Sequence, residues 1–577
     1  MPTPDDDDAL IERFVPIIRF TAGEYFLPMS IDTYLARCEL RRQVAGRTEV
    51  LATSGQVDRN TLVQLAGTAS GCSLAYVTEP ATRTATAVWR LDDERPRFRA
   101  ANRLGTVGVM SRLIDSALRF SLLVRGRVAS GTEAAAELAY RPERVAADHW
   151  CYARLLRQDG YTVLQYWFFY AFNDWRSRAS GVNDHEADWE QVTVFLTESA
   201  DGAQPRWVAF SSHDYQGDDL RRRWDDPDLT KEGDRPVVFA GLGSHSGAYL
   251  AGDYLMIVDK GTLGRLFAVG RRLTRLLLPW TRGVERDGLG APYIDYARGD
   301  GEVVGGTERP LRCERIDDST PWVDGYTGLW GVDTSDPLGG ERGPAGPRYE
   351  RNGKVRMSWH DPVGWTGLSK VPPDAVDARR AIERRLQDLD SLLVEAQDRR
   401  ASILTRMRAM TTVGERPPVT LVDEAERIAA EAIALADERR RLLSGPEDVA
   451  AGPHDHLRRR QVPVELDTTT RARVLAVWAI ISTPLLLASL ALMFLSSGTG
   501  LVLLGGGALL LVFMLEAIAR RHLAEFIFTA AWVTLTVFVL AIIVASLVTR
   551  WRLTVGAVFV TAAAVVLVLN VRELRRR

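Results

Sequence analysis

The chain has 577 residues, 46% of them hydrophobic and 25% charged, with a formal net charge of −2. That length exceeds a single hydrophobic core and predicts several units, and the near-neutral balance argues against nucleic acid or a strongly acidic ligand as partner. The only Lys are Lys231, Lys260, Lys354 and Lys370; with abundant Ala, this Arg-rich usage fits a GC-rich bacterial genome. The start of the chain is acidic (Asp5 to Asp8) and has no basic stretch leading into an apolar run, so no cleavable signal peptide is expected. Cys38, Cys72, Cys151 and Cys313 are scattered and form no CxxC pair. They suggest neither a zinc site nor a disulfide framework, and fit a reducing compartment.

Residues 1–370 read as a β-rich soluble head. Short apolar runs at 161–170, 190–196, 206–211 and 236–240 alternate with Gly, Pro and Trp. This is the pattern of a mainly β sandwich-like fold rather than of βαβ units. No Walker A loop, dinucleotide fingerprint, GxSxG elbow or HExxH helix is present. The densest polar stretch is Asn173-Asp174-Trp175, followed by Asn183-Asp184-His185-Glu186-Ala187-Asp188-Trp189-Glu190. On an extended chain residues i and i+2 share a face, so Asp188 and Glu190 point the same way. A turn upstream could bring Asp174 and His185 beside them. Carboxylates gathered in this way repel one another unless a cation lies between them. Oxygen-rich ligation with one His suits Ca²⁺, Mg²⁺ or Mn²⁺ better than structural zinc. The alternative is that these acids pair with Arg176 or Arg178, or are solvated at a strand end. Two further polar spots follow predicted strands, Ser211-Ser212-His213-Asp214 and Gly243-Ser244-His245-Ser246. His213 and His245 are the candidates for proton transfer, should the head be catalytic.

Several pieces of the head, in order, resemble the vacuolar protein sorting-associated protein 62 family, which in turn resembles the necrosis- and ethylene-inducing peptide-like toxins. They are Phe14-Val15-Pro16-Ile17, Gly23-Glu24-Tyr25-Phe26-Leu27-Pro28, Tyr166-Trp167-Phe168-Phe169-Tyr170 running into Asn173-Asp174-Trp175, and His185-Glu186-Ala187-Asp188-Trp189-Glu190. Ser212-His213, Gly243-Ser244-His245, Leu329-Trp330-Gly331, Gly343-Pro344-Ala345-Gly346-Pro347 and Trp359-His360-Asp361-Pro362 complete the set. In the toxin family the central signature reads Gly-His-Arg-His-Asp-Trp-Glu on a β-sandwich. Its first His, its Asp and its Glu hold a divalent cation together with an upstream Asp. The resemblance therefore implies His185, Asp188 and Glu190 as metal ligands, with Asp174 as the upstream Asp. This chain has Asp184 in place of the Gly and Glu186-Ala187 in place of Arg-His. Those departures put toxin-like activity in doubt but keep the implied ligands. Because the toxins act on sphingolipid sugars, a polar lipid headgroup or sugar-like molecule is the implied ligand class. Farther along, Arg265, Arg271, Arg272 and Arg275 interleave with Leu266, Phe267, Leu273, Leu276, Leu277 and Leu278. Such a helix either lies on anionic lipid or packs against the head.

Residues 371–445 change period. Ile382, Leu386, Leu389, Leu393, Ala396, Ile403, Met407 and Met410 recur at steps of three and four, interrupted by Arg400. After a break at 414–418 the pattern resumes at Leu421, Ala425, Ile428, Ala432, Leu435 and Leu442. This predicts an antiparallel coiled-coil hairpin, a stalk that could also drive homo-oligomerisation. The linker 446–472 carries His454 and His456, read as solvated.

From residue 473 onward the chain is nearly free of charge, and four transmembrane helices are expected, at 474–495, 501–518, 524–548 and 553–571. Arginines cluster at 458–460, 471 and 473, at 520–521, and at 572 and 575–577, whereas the first loop is uncharged and the third holds only Arg550 and Arg552. The positive-inside rule places head and termini in the cytoplasm of a multi-pass cell-membrane protein. Glu516 falls near the end of the second span, within reach of the interface. With no charge at mid-depth the block reads as an anchor rather than a transport path.

These features predict a membrane-anchored, cytosol-facing, divalent-cation-dependent binding protein. One alternative is a metal-dependent hydrolase of phosphoesters or esters. The other is a structural trafficking or envelope-organisation protein.

Overall fold

Residues 161–173 (YTVLQYWFFYAFN) carry no charged side chain and are apolar or aromatic on both faces, so a strand built from them has to be covered on both faces. They form a 13-residue strand at the centre of a sheet, buried along its whole length. The computed structural model describes residues 4–66, 71–92, 95, 98, 109, 112–113, 116, 131–175, 184–199, 202–212, 217–258, 291–332, 343–373, 375–443, 463, 470–495 and 499–574. The chain divides into two compact units, one of Met1–Phe98, Ser121–Tyr254 and Asp295–Pro463, the other of Arg99–Phe120, Leu255–Ile294 and Val464–Arg577.

The first unit is rich in sheet. Its early strands are β1 (Ile17–Phe20), β2 (Glu39–Val44), β3 (Arg47–Ala52) and β4 (Cys72–Ala75), followed by helix α1 (Gly131–Ala146). Next come β5 (His149–Gln158), β6 (Tyr161–Asn173), β7 (His185–Ser199), β8 (Gly202–Phe210) and β9 (Arg221–Arg223). Then follow β10 (Lys231–Glu232), β11 (Arg235–Ala240), β12 (Gly247–Ala248), β13 (Val303–Val304) and β14 (Leu311–Arg315). The large sheet has the order β14-β5-β6-β7-β8-β9, a second has β10-β11-β1-β13 with β12 on β11, and a third has β3-β2-β4. One face of the large sheet, through Leu164, Tyr166, Phe168, Tyr170, Val192 and Val194, shares a core with Ile18 and Phe20 of β1 and Val238 and Ala240 of β11. Its other face, through Trp167, Phe169, Ala171 and Trp189, packs on Leu40, Leu74, Trp322, Trp330 and Trp359.

Strand β14 lies parallel to β5 with Cys313 opposite Cys151. The two sulfurs form a disulfide across a Cα–Cα distance of 4.7 Å. This corrects the expectation of four free thiols. The partners are 162 residues apart, and only the parallel register brings them together. Cys38 and Cys72 stay free and buried.

The first unit ends in two long helices, α2 (Ala375–Thr412) and α3 (Val419–Leu443). Ala396, Ile403, Ala425 and Ile428 form their shared core. Arg385 and Asp390 near the start of α2 pair with Glu438 and Arg439 near the end of α3, and Arg399 farther along α2 pairs with Glu431, so the helices run antiparallel.

The second unit contains α4 (Thr470–Leu495), α5 (Thr499–Ala519) and α6 (Leu523–Leu574). Among the described residues, three segments are long and apolar enough to cross a membrane, Arg473–Leu495, Leu523–Ala545 and Trp551–Val568, while Leu503–Ala519 is a shorter apolar helix. No break falls at Arg550–Arg552, where a loop between two spans was expected. Nothing in Ser546–Leu553 is Gly or Pro, so the backbone keeps its helical hydrogen bonds and α6 runs 52 residues without interruption. Glu516, near the end of α5, is fully buried. The stretch 263–280, the linker histidines His454 and His456, and Arg176 and Arg178 lie outside the described residues.

Candidate functional site

Asp188 and Glu190 lie on one face of β7, as the period of two requires, opposite Tyr170 and Phe168 of β6. Ala187 breaks that period. Its φ of 58° is left-handed, so Glu186 turns to the other side of the sheet. There Glu186 accepts backbone N–H groups from Tyr76 (3.0 Å), Val77 (2.9 Å) and Val332 (3.2 Å). Burial pushes its carboxyl up to about 6, against the pull of those three donors.

Asp188 is engaged from two sides, by Asn173 Nδ2 at 3.0 Å and by His245 Nδ1 at 3.0 Å. The imidazole lies flat on the Tyr170 ring, with centroids 3.8 Å apart and planes 6° from parallel. Its Nε2 faces Glu24 Oε1 at 3.6 Å. Burial alone would lower the His245 pKa, but the charge of Glu24 and the hydrogen bond to Asp188 raise it to about 10. The imidazolium is therefore the cation that lets Glu24 and Asp188 stand so close. Glu24 also accepts from Tyr25 N (2.8 Å), Phe26 N (3.0 Å) and Gly243 N (2.7 Å). Glu190 takes the Ser211 hydroxyl, and burial together with repulsion from Asp188 pushes its carboxyl well up.

Asp174 goes elsewhere. Its N–H donates to Gly243 O at 3.1 Å, and Gly243, at φ +71°, has no room for a Cβ against Asp174 Oδ1. The carboxylate of Asp174 joins Glu133 and Glu137 of α1, with one ligand oxygen from each within 4.8 Å of the others. Glu133 and Glu137, four residues apart, share a helix face turned into the protein. Arg95 supplies their counter-charge, with Nε at 3.0 Å from Glu137 Oε1 and Nη2 on Glu133, and its guanidinium covers the Trp89 ring at 3.8 Å. Burial and the nearby charge of Asp174 hold the Glu133 carboxyl well above its usual range. Glu137 and Arg95 also line a cleft of about 280 Å³ whose other walls include Tyr25, Trp89, Arg141 and Arg144.

Of the expected ligands Asp174, His185, Asp188 and Glu190, only Asp174 belongs to this carboxylate group. His185 turns Nδ1 to the Ala187 carbonyl at 2.8 Å. Of the two candidate proton-transfer residues, His245 is buried as described, and His213 lies outside the described residues. Sequence reasoning missed Glu24, Arg95, Glu133 and Glu137. The spacing of Glu133 and Glu137 within an Ala-rich helix was the available signal.

A divalent cation fits the Asp174–Glu133–Glu137 group by donor chemistry. Oxygens about 2.3–2.6 Å from a Ca²⁺ can stand up to ~5 Å apart, and these three lie within 4.8 Å. The donors are all carboxylate oxygens, and Arg95 would share two of them with the ion.

No protein-family model matches this chain, and no curated protein matches it. Among solved structures it is similar to NLPPya in complex with glucosamine, at 19% identity over 18% of this chain and 44% of that one, with a TM-score of 0.14. NLPPya in complex with mannosamine matches at 20% identity over the same shares, also with a TM-score of 0.14. Necrosis and Ethylene inducing Protein 2, from the causal agent of cocoa's Witches Broom disease, matches at 13% identity over 43% of this chain and 68% of its own, with a TM-score of 0.20. The chain thus spans less than half of NLPPya. These neighbours are necrosis- and ethylene-inducing protein chains, matched at low coverage, and no comparable match stands behind the resemblance to the vacuolar sorting family.

Proposed function

We propose that this chain is a membrane-attached binding protein whose β-rich head holds a divalent cation, Ca²⁺ or Mg²⁺, at Glu133, Glu137 and Asp174. In this reading the head uses the adjoining cleft to recognise a polar lipid headgroup or sugar-like ligand, the class implied by the sequence resemblance. The observation that carries the reading is the carboxylate triad beside a cleft of about 280 Å³. A concave site with aromatic walls and a few fixed polar groups is the usual form of a small-ligand pocket. The second reading, a metal-dependent hydrolase, has less support, because His245 is buried as a charged group between two carboxylates and offers no basic nitrogen.

The apolar helices of the second unit provide the attachment. The 21-residue α5 is ~32 Å long, enough for a fourth crossing of a hydrocarbon core ~30 Å thick. An unbroken helix crosses a bilayer once, so four crossings require the ~78 Å α6 to turn back at Arg550–Arg552 in the membrane, with those arginines at an interface. The arginine clusters flanking the spans support a cytoplasmic position for the head and both termini. Helices α2 and α3, which follow residues 1–370 in the chain, would then be a coiled coil available for homo-oligomerisation.

Thermal melting of the full-length protein in detergent tests the cation. A native-state ligand at a hundred times its Kd adds ~2.7 kcal/mol of stability, so Ca²⁺ or Mg²⁺ should raise Tm and EDTA reverse the rise. Glu137→Gln should abolish the rise and Asp188→Asn keep it. The opposite pattern would move the ion to the His185, Asp188 and Glu190 set implied by the resemblance. No cation-dependent shift in the wild type rejects the metal altogether.

A further inference from the structure

The second unit buries a polar group that an anchor has no use for. Val109, Arg112, Leu113 and Ser116 are helical and spaced along one face. Val109 and Leu113 of that face pack with Trp478 and Leu486 of α4 and with Leu509, Val512 and Phe513 of α5. Arg112 is carried into this apolar setting with 1% of its surface exposed. Its Nη2 donates to Glu516 Oε2 at 2.8 Å. The same carboxylate accepts from Trp478 Nε1 at 2.6 Å and, on Oε1, from Arg520 Nε at 2.6 Å. Both oxygens of Glu516 are thereby engaged, and its single negative charge is divided between two guanidinium groups.

Arg112 is not satisfied. A guanidinium has five N–H donors in a fixed fork, and among the described residues both Nε and Nη1 of Arg112 are buried with no hydrogen-bond partner. Ser482 Oγ is in the same position. It lies four residues from both Trp478 and Leu486, on the face of α4 that packs against the Arg112 segment. A buried charge with unmet donors in an apolar surrounding is costly enough that proteins rarely leave it so. The complement of an open guanidinium edge is an oxyanion with several oxygens, for which Arg has the matching geometry. The location narrows the source. Glu516 is in the last turn of α5, which ends at Ala519 and turns through Arg520, Arg521 and His522. In a bilayer-crossing helix that is the level of the lipid headgroups, where basic pockets between helices take lipid phosphates.

We propose that Arg112, with Arg520 and Ser482 beside it, forms a binding site for a phosphate-bearing anion supplied by the headgroup of an anionic phospholipid. This site is independent of the cation and cleft of the head, and either can stand without the other.

The test uses the delipidated full-length protein in detergent, as wild type and as Arg112→Gln, melted with phosphatidylglycerol, with phosphatidylcholine and with inorganic phosphate. Arg112→Gln leaves Glu516 to Arg520 and Trp478, so the variant needs no anion and is expected to fold. Phosphatidylglycerol should raise the wild-type Tm by several degrees, phosphatidylcholine by less, and native mass spectrometry should find phosphatidylglycerol retained. In Arg112→Gln the lipid-dependent rise should vanish and retention fall at least tenfold. A full rise with inorganic phosphate alone keeps the anion site and overturns its lipid source. An equal lipid-dependent rise in Arg112→Gln, or no rise and no retained lipid in the wild type, overturns the site. If Arg112→Gln does not fold, lipid retention by the wild type and by Arg112→Lys, which keeps the charge and loses the fork, decides in the same way.

Discussion

At the scale of single residues, His245 is the group on which the polar core of the head depends. Its folded pKa of about 10 lies above its ordinary 6.5, so the stability it contributes is complete below pH 6.5 and is lost as pH rises through 10. Glu24 shifts the other way. Burial would raise it, but the His245 charge and the donors from Gly243 and Phe26 hold it below its ordinary 4.5. Its contribution is present above that value and is lost on acidification. Melting in EDTA should therefore show Tm falling between pH 6.5 and 10, and His245→Gln should flatten that fall. An unchanged alkaline slope in the variant would show that the imidazolium is not the cause. Asp188→Asn leaves a buried cation with one carboxylate in place of two, a loss of about 3–5 kcal/mol, read from the midpoint of chemical unfolding. Part of this was legible in advance. The i, i+2 spacing put Asp188 and Glu190 on one face, and convergent carboxylates demanded a positive charge. No pattern in the sequence could show that a distant His faces Asp188, because the partner arrives from a separate loop.

At the scale of elements, one backbone conformation decides what the central strands present. Phe169 and Ala171 face the tryptophan-rich core, and so does Phe172, the very next residue. On the paired strand Ala187 and Trp189 face that core, and the Glu186 carboxylate meets Tyr76, also one of its members. The reversal occurs where Ala187 adopts φ 58°, which a β-branched residue resists. Ala187 is fully buried, so Ala187→Val adds both backbone strain and overpacking. We expect it to cost about 2–4 kcal/mol, while Ala187→Gly stays within about 1 kcal/mol of wild type. Chemical unfolding of the two variants checks this, and a harmless Val would mean that the strand keeps a regular period here. Phe169→Ala, at the fully buried centre of β6, should cost about 3–5 kcal/mol by the same measurement. The apolar runs that announce β6 and β7 are plain in the sequence. The parity switch is not, because Ala has no signature of a left-handed conformation and fixed alternation would have sent Glu186 to the wrong side. The same limit applies to α6: the hydropathy dip at Arg550–Arg552 suggests a loop, yet without Gly or Pro nothing obliges the helix to stop.

At the scale of the whole molecule, two physical arguments bear on which side of the membrane the head faces. Arginines flanking the apolar helices favour a cytoplasmic head. The Cys151–Cys313 pairing joins strands 162 residues apart, and such bonds persist in oxidising compartments while cytosolic thiols are kept reduced. The proposed orientation therefore makes a definite prediction about a bond that the fold itself can form. In a cytoplasmic head the two cysteines stand opposite one another in register and remain thiols until the cells are broken. Rapid acid quenching of cells, followed by denaturation and maleimide labelling, should then count four reactive thiols per chain. After purification in air the count should drop to two, Cys38 and Cys72, which are buried and free. A count of two in the quenched cells would place the head on the oxidising side and reverse the orientation. The bond would then also contribute about 3–5 kcal/mol to the stability of the head, the range expected for closing so long a loop. Cys151→Ser separates the two cases further. It should leave the head's Tm unchanged in protein kept reduced from lysis onward, and lower it only where the disulfide had formed.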